Sequence, residues 1–254
     1  MSDEMTLPPA RAANDHVVDA PAVPVLEARN VFKTFHGGDG AAVRVLEGAS
    51  ITVRRGEMVA IIGASGAGKS TLLHVLGALE RPTSGEVLLN GEPVAALSDE
   101  VLAERRNRGV GFVFQFHHLL KEFSALENVM MPLRIAGRPD AASRARAEQL
   151  LERVGLSHRR HHRPSELSGG EQQRTAVARA LAMQPGLLLA DEPSGNLDHM
   201  HAESLHDLFA ELARELSLGL VVVTHNRALA ARADRVLLLE SGHLADNSSN
   251  QGAV

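Results

Sequence analysis

The sequence predicts an α/β protein with a mixed central sheet and an inserted helical subdomain, and three observations carry that reading. Short apolar runs at 186–190, 218–224 and 235–239 have strand length and alternate with helical patterns. Such runs suit parallel strands covered on both faces. A glycine-rich loop joins an apolar run at 57–62 to a helix over 69–79. Between about 98 and 185 the chain turns helical, which marks the insert.

Each element has its own warrant. Residues 25–32, 41–46 and 51–53 read as strands, with a turn at 37–40. Strands at 86–89 and 91–94 flank Asn90-Gly91, a strong hairpin dipeptide. In the insert, the helix at 141–154 gathers Ala145, Ala147, Leu150, Leu151 and Val154 on one side, and 171–183 is a second helix. The helix at 200–216 spaces Leu205, Leu208, Phe209, Leu212 and Leu216 along one face. His199, His201 and His206 flank or start it and are read as solvent-facing. His158, His161 and His162 lie among Arg159, Arg160 and Arg163, and cationic neighbours oppose metal binding, so a solvated basic loop is expected there.

Bulk properties narrow the function. The 254 residues are 44% apolar and 22% charged, with net charge -5, which predicts no phosphate-backbone binder. Aromatics make up 3%, without Trp or Tyr, so single-stranded nucleic acid finds few stacking platforms. Without cysteine there is neither a disulfide framework nor a thiolate metal site. No apolar run approaches the roughly 18 residues of a spanning helix. Residues 1–24, rich in Ala and Pro with Asp3, Glu4, Asp15 and Asp19, lack a signal-peptide pattern and read as a disordered arm. The folded domain is expected over 25–246, with a tail at 247–254, in the cytoplasm.

Chemistry concentrates in three motifs. Gly63-Ala64-Ser65-Gly66-Ala67-Gly68-Lys69-Ser70, followed by Thr71, satisfies the phosphate-loop pattern in its required strand–loop–helix context. Its glycines let backbone N–H groups curl around phosphates, Lys69 meets the β/γ oxygens, and Ser70 is placed for Mg²⁺. Leu187-Leu188-Leu189-Ala190-Asp191-Glu192 delivers adjacent acids at a strand's carboxyl end, where parallel sheets bind ligands. Asp191 would orient the Mg²⁺ shell and Glu192 would polarise the attacking water. Leu167-Ser168-Gly169-Gly170-Glu171-Gln172-Gln173-Arg174 is a second glycine-led helix start, another anion receiver. One active site has no need of both, so each should complete the other's site in a homodimer.

The third motif resembles the signature of ATP-binding-cassette ATPases, and the flanking elements match that family in order. The resemblance implies ATP as ligand and trans contacts from Ser168, Gly169, Gly170 and Gln172, with Ser168 and Gly170 on the γ-phosphate held by the other copy. It also implies a Q-loop at Gln115 that senses Mg²⁺, a D-loop at Ser194-Gly195-Asn196-Leu197-Asp198, and a switch residue at His225. Ser194 stands where Thr is more usual. Phe35 sits where the family stacks an aromatic on adenine, and Phe32 is the competing choice.

A narrower resemblance lies after Gln115. Phe116-His117-His118-Leu119-Leu120, then Phe123-Ser124-Ala125-Leu126-Glu127-Asn128-Val129, is similar to the lipoprotein-releasing ATPases of the LolD family, as is His162-Arg163-Pro164-Ser165-Glu166. That likeness implies a peripheral subunit at the cytoplasmic face of a bacterial inner membrane, docked near residues 115–123 to two LolC/LolE-like permeases. Phe116, Leu119, Leu120 and Phe123 would form the docking surface or belong to the insert's core. An FtsE-like division ATPase and a MacB-like exporter ATPase share the motifs. Nucleic-acid and ribosome cassettes usually carry coiled coils, zinc cysteines or a second cassette, which this sequence lacks.

Overall fold

The alternation along the buried strands decides the architecture. The computed structural model describes residues 23–38 and 41–247. The arm expected at 1–24 therefore lies outside the described residues apart from Val23 and Pro24, and the tail apart from Asn247.

Six strands form the main sheet, in the order β10-β9-β3-β8-β7-β6. These are β3 (Met58–Ile62), β6 (Val110–Phe114), β7 (Leu187–Asp191), β8 (Gly219–Val223), β9 (Arg235–Glu240) and β10 (His243–Asp246). All neighbours are parallel except the β9–β10 hairpin. Along β7, Leu187 and Leu189 enter one core while Leu188 and Ala190 enter the other. Along β8, Val221 and Val223 oppose Leu220 and Val222 in the same way. The strand period of two thus supplies both faces from one apolar run.

A second, antiparallel sheet runs β2-β1-β4-β5, from β1 (Leu26–His36), β2 (Ala42–Val53), β4 (Ser84–Leu89) and β5 (Glu92–Pro93). β2 is one strand of 12 residues where the sequence suggested two. Register shifts in its pairing with β1 explain the broken pattern. The Asn90-Gly91 hairpin forms as predicted, with φ of 50° and 80° at its two turn residues. Helix α1 (Lys69–Leu76) buries Leu72, Leu73, Val75 and Leu76 in the core between the sheets.

On the opposite face lie α3 (Ala125–Ile135), α4 (Asp140–Arg153), α5 (Gly169–Ala180) and α6 (His199–Glu215). The helical reading of 98–185 needs one correction. α2 (Asp99–Gly109) leads into β6, which pairs with β7 as the edge strand of the main sheet. Val110-Gly111-Phe112-Val113-Phe114 carries only five residues of signal, too few to stand out beside its helical neighbours. A short helix, α7 (Arg227–Ala230), follows β8.

Candidate active site

The adjacent order β3, β8, β7, β6 brings four carboxyl ends side by side. β3 opens into the phosphate loop, β8 into His225, β7 into Asp191 and Glu192, and β6 into Gln115. Gly63, Ser65, Gly66, Gly68, Lys69, Ser70, Thr71, Gln115, Asp191, Glu192 and His225 line one cavity of about 550 Å³. The sequence reading missed Val45, which also lines it. Val45 comes from the antiparallel sheet, and no motif marks it.

Local structure fits the loop for anions. Gly68 caps α1 at φ 94°, and a Cβ there would stand 2.7 Å from Val45 Cγ1, so only glycine fits. No side chain caps α1, which leaves the first-turn N–H groups and the positive end of the helix dipole facing the cavity. Lys69 Nζ donates to the carbonyls of Gly63 and Ala64, each at 3.0 Å, which holds the ammonium over the loop.

The two acids sit in different surroundings. Burial pushes the Asp191 carboxyl above its ordinary range, against a hydrogen bond from Ser70. Its Oδ1 is buried without a hydrogen-bond partner among the described residues. An orphaned carboxylate oxygen beside a serine hydroxyl fits a hard divalent cation. Glu192 has the left-handed φ of 43°, so the chain turns sharply at the strand end. Its Oε2 lies 2.9 Å from His225 Nδ1 and 3.3 Å from the His225 backbone N–H. The carboxylate places the proton on Nδ1 and leaves Nε2 outward, on a side chain 73% exposed.

Gln115 and the D-loop meet directly. Gln115 Nε2 donates to Asn196 Oδ1 at 3.1 Å, and Asn196 Nδ2 donates to the Gln115 carbonyl at 3.2 Å. Asp198 caps α6 through the His201 N–H at 3.0 Å. His201, to which the sequence assigned nothing, bonds Asp198 through Nδ1 at 2.7 Å. A Cβ on Gly170 would stand 2.9 Å from His201 Cδ2.

The signature residues stand apart from the phosphate loop. Ser168 and Gly170 line a separate cavity of about 400 Å³ with Arg174 and His201, sharing no residue with the first. Gln172 spends its amide on the carbonyls of Pro164 and Leu167, at 3.0 and 3.1 Å. Its amide thus ties the start of α5 to the preceding loop. Phe35 is half-exposed beneath Lys33 Nζ at 4.8 Å, and neither it nor Phe32 lines the phosphate cavity.

Two other expectations are corrected. His206 is fully buried rather than solvent-facing. It falls on the α6 stripe of Ala202, Leu205 and Phe209, so its spacing held the signal. Arg159 of the basic loop is not simply solvated, for it pairs with Glu171 at 2.8 Å.

A family model described as ABC transporter matches residues 46–195. The chain belongs to the ABC transporter family. It is an ATP-hydrolysing cassette. The cassette is 54% identical over 225 residues to the lipoprotein-releasing system ATP-binding protein LolD of Xanthomonas euvesicatoria pv. vesicatoria (strain 85-10), covering 89% of this chain and 92% of that one. It is 53% identical over 227 residues to the protein of that name from Shewanella denitrificans, covering 89% and 97%. Among solved structures it resembles the ATP-binding cassette MJ0796 in a dimeric post-hydrolysis state bound to ADP and Pi. The TM-score is 0.80 at 37% identity, over 86% of this chain and 96% of that one.

Proposed function

We propose that this cassette drives lipoprotein release from the bacterial inner membrane, as a pair of copies bound at the cytoplasmic face to two LolC/LolE-like permeases. The observation that carries this reading is the 54% identity to LolD over nearly the whole folded chain. The surface after Gln115 supports it. Phe116 is 64% and Leu120 42% exposed, although both are large and apolar. Asn128, fully buried, pins the segment behind them: its Nδ2 donates to the Leu120, Phe123 and Ser124 carbonyls, and its Oδ1 accepts from the Leu120 N–H. The apolar side chains are thereby presented on a fixed loop.

In the proposed mechanism, the uncapped start of α1 and Lys69 hold the β- and γ-phosphates of ATP. Ser70, Gln115 and Asp191 would hold Mg²⁺, which when bound neutralises charge on the phosphate oxygens. Glu192 accepts the proton of the attacking water as general base. His225 holds the Glu192 carboxylate through Nδ1–H and presents Nε2 toward the γ-phosphate. Ser168 and Gly170 of one copy face the γ-phosphate held by Lys69 of the other.

Affinity capture of the tagged cassette from native membranes, read by mass spectrometry, tests the assignment. Two lipoprotein-release permeases are expected, and a division-site membrane protein or a single macrolide-exporter subunit in their place rejects it. In solution, hydrolysis should rise more steeply than linearly with protein at low concentration. A linear dependence in a demonstrated monomer rejects the two-copy site.

A further inference from the structure

A polar chain, buried at Ser194 and His206 and partly exposed at Glu203 and Arg232, ties the two loops that flank Glu192. His206 sits in α6 with no exposed surface, among Ala202, Leu205, Phe209 and Leu212. Its Nε2 lies 2.9 Å from Ser194 Oγ in the D-loop. Its Nδ1 makes no hydrogen bond among the described residues and faces Glu203 Oε1 at 3.5 Å, an electrostatic contact. A carboxylate repels a lone pair, so Nδ1 carries the proton and Nε2 accepts from the Ser194 hydroxyl. The other Glu203 oxygen meets Arg232 Nη2 at 2.7 Å, and Arg232 Nη1 donates to the Ala228 carbonyl at 3.1 Å.

Both ends of this chain attach to segments that follow site residues. Ser194 lies two residues after Glu192, whose carbonyl accepts from the Gly195 N–H at 3.0 Å. Ala228 lies three residues after His225, in α7. An apolar side chain would fill the His206 space on this otherwise apolar stripe at no desolvation cost. The imidazole instead costs a buried polar group and supplies a directed bond.

We propose that His206 is a positioning residue for ATP hydrolysis, setting the turn after Glu192 against the His225 loop through Ser194 on one side and Glu203 and Arg232 on the other. This rests on the reading of Glu192 as general base. The test is a double-mutant cycle of Ser194→Ala and His206→Phe, with kcat, KM for ATP and melting temperature measured on each purified full chain. Each single variant should lose kcat about fivefold to tenfold with KM held, and its melting temperature should fall by no more than the about 2–4 °C that one hydrogen bond is worth. The double variant should be no slower than the slower single. Ser194→Thr, which keeps the hydroxyl, and His206→Gln, which keeps an acceptor near Nε2, should retain most of kcat.

Unchanged kcat, additive losses, or losses that track melting temperature would overturn the proposal. If His206→Phe fails to fold, Ser194→Ala against Ser194→Thr decides alone. Glu192→Gln is measured alongside. Near-normal hydrolysis in that variant rejects the general base while the Ser194–His206 coupling still stands.

Discussion

The chain begins two helices behind glycines, α1 after Gly68 and α5 at Gly169, and they solve the same electrostatic problem in opposite ways. α1 has no side-chain cap and no acid in its first turn. α5 is capped by Ser168, whose Oγ accepts the Glu171 N–H at 3.3 Å while Glu171 Oε2 accepts the Ser168 N–H at 2.8 Å. The bare start leaves its first-turn donors without a side-chain partner, as a phosphate site needs. The capped start satisfies its own donors within the chain, and in the proposed pair it adds its contacts to the other copy's nucleotide.

The nearby acids show the same contrast. Glu171 is held below its ordinary 4.5 first by the Ser168 N–H, against desolvation, with Arg159 lowering it further. Asp191, beside α1, is pushed above its ordinary 3.8 first by burial. A capping box stabilises the charge of its acid, whereas the acid near the bare start is left with a charge that the fold disfavours.

The proposed mechanism places chemistry beside α1 alone, so Glu192→Gln should slow turnover by roughly 10²–10⁴-fold while ATP still binds, read by steady-state hydrolysis beside calorimetry. Lys69→Ala should weaken ATP binding by roughly 10–100-fold, the range for hydrogen bonds to a charged group, measured by calorimetry with Mg²⁺. Gly68→Ala forces a left-handed alanine against Val45 and should cost about 1–3 kcal/mol in thermal unfolding, besides losing nucleotide. Ser168→Ala should cost only about 1 kcal/mol of stability. It should leave ATP affinity of the single copy intact and lower hydrolysis by the pair; lost affinity in the single copy would erase the distinction between the two starts.

The smallest effects are in pH. Because the Glu171 pKa is lowered by folding, its stabilisation is present above 4.5 and is lost as pH falls through the folded value. The melting-temperature gap between wild type and Glu171→Gln should therefore be full at pH 7 and close in acid. Asp191 has the opposite sign: its raised pKa means the fold favours the protonated form, an advantage lost as pH rises through the folded value. Asp191→Asn should therefore melt higher than wild type at pH 7 without nucleotide or Mg²⁺, while losing hydrolysis.

What each motif could do is legible along the chain. Phosphate loops, acid-ended strands and glycine-led helices are local devices, in which adjacent residues set the backbone and the charge. The alternating α/β pattern is legible too, because buried strands and amphipathic helices leave distinct periods. Only the tertiary structure decided which residues meet. Gln115 finds Asn196, and Val45 reaches the phosphate loop from another sheet, because strand order rather than sequence distance sets neighbours. β6 was hidden among helices because five residues carry too little period to announce a strand. The spacing of His206 on the apolar stripe marks it as buried, but the partner it finds there, Ser194, is set only by folding. The capped and uncapped helix starts look alike as glycine-led runs, and the difference lies in side-chain hydrogen bonds that form only after the chain has folded.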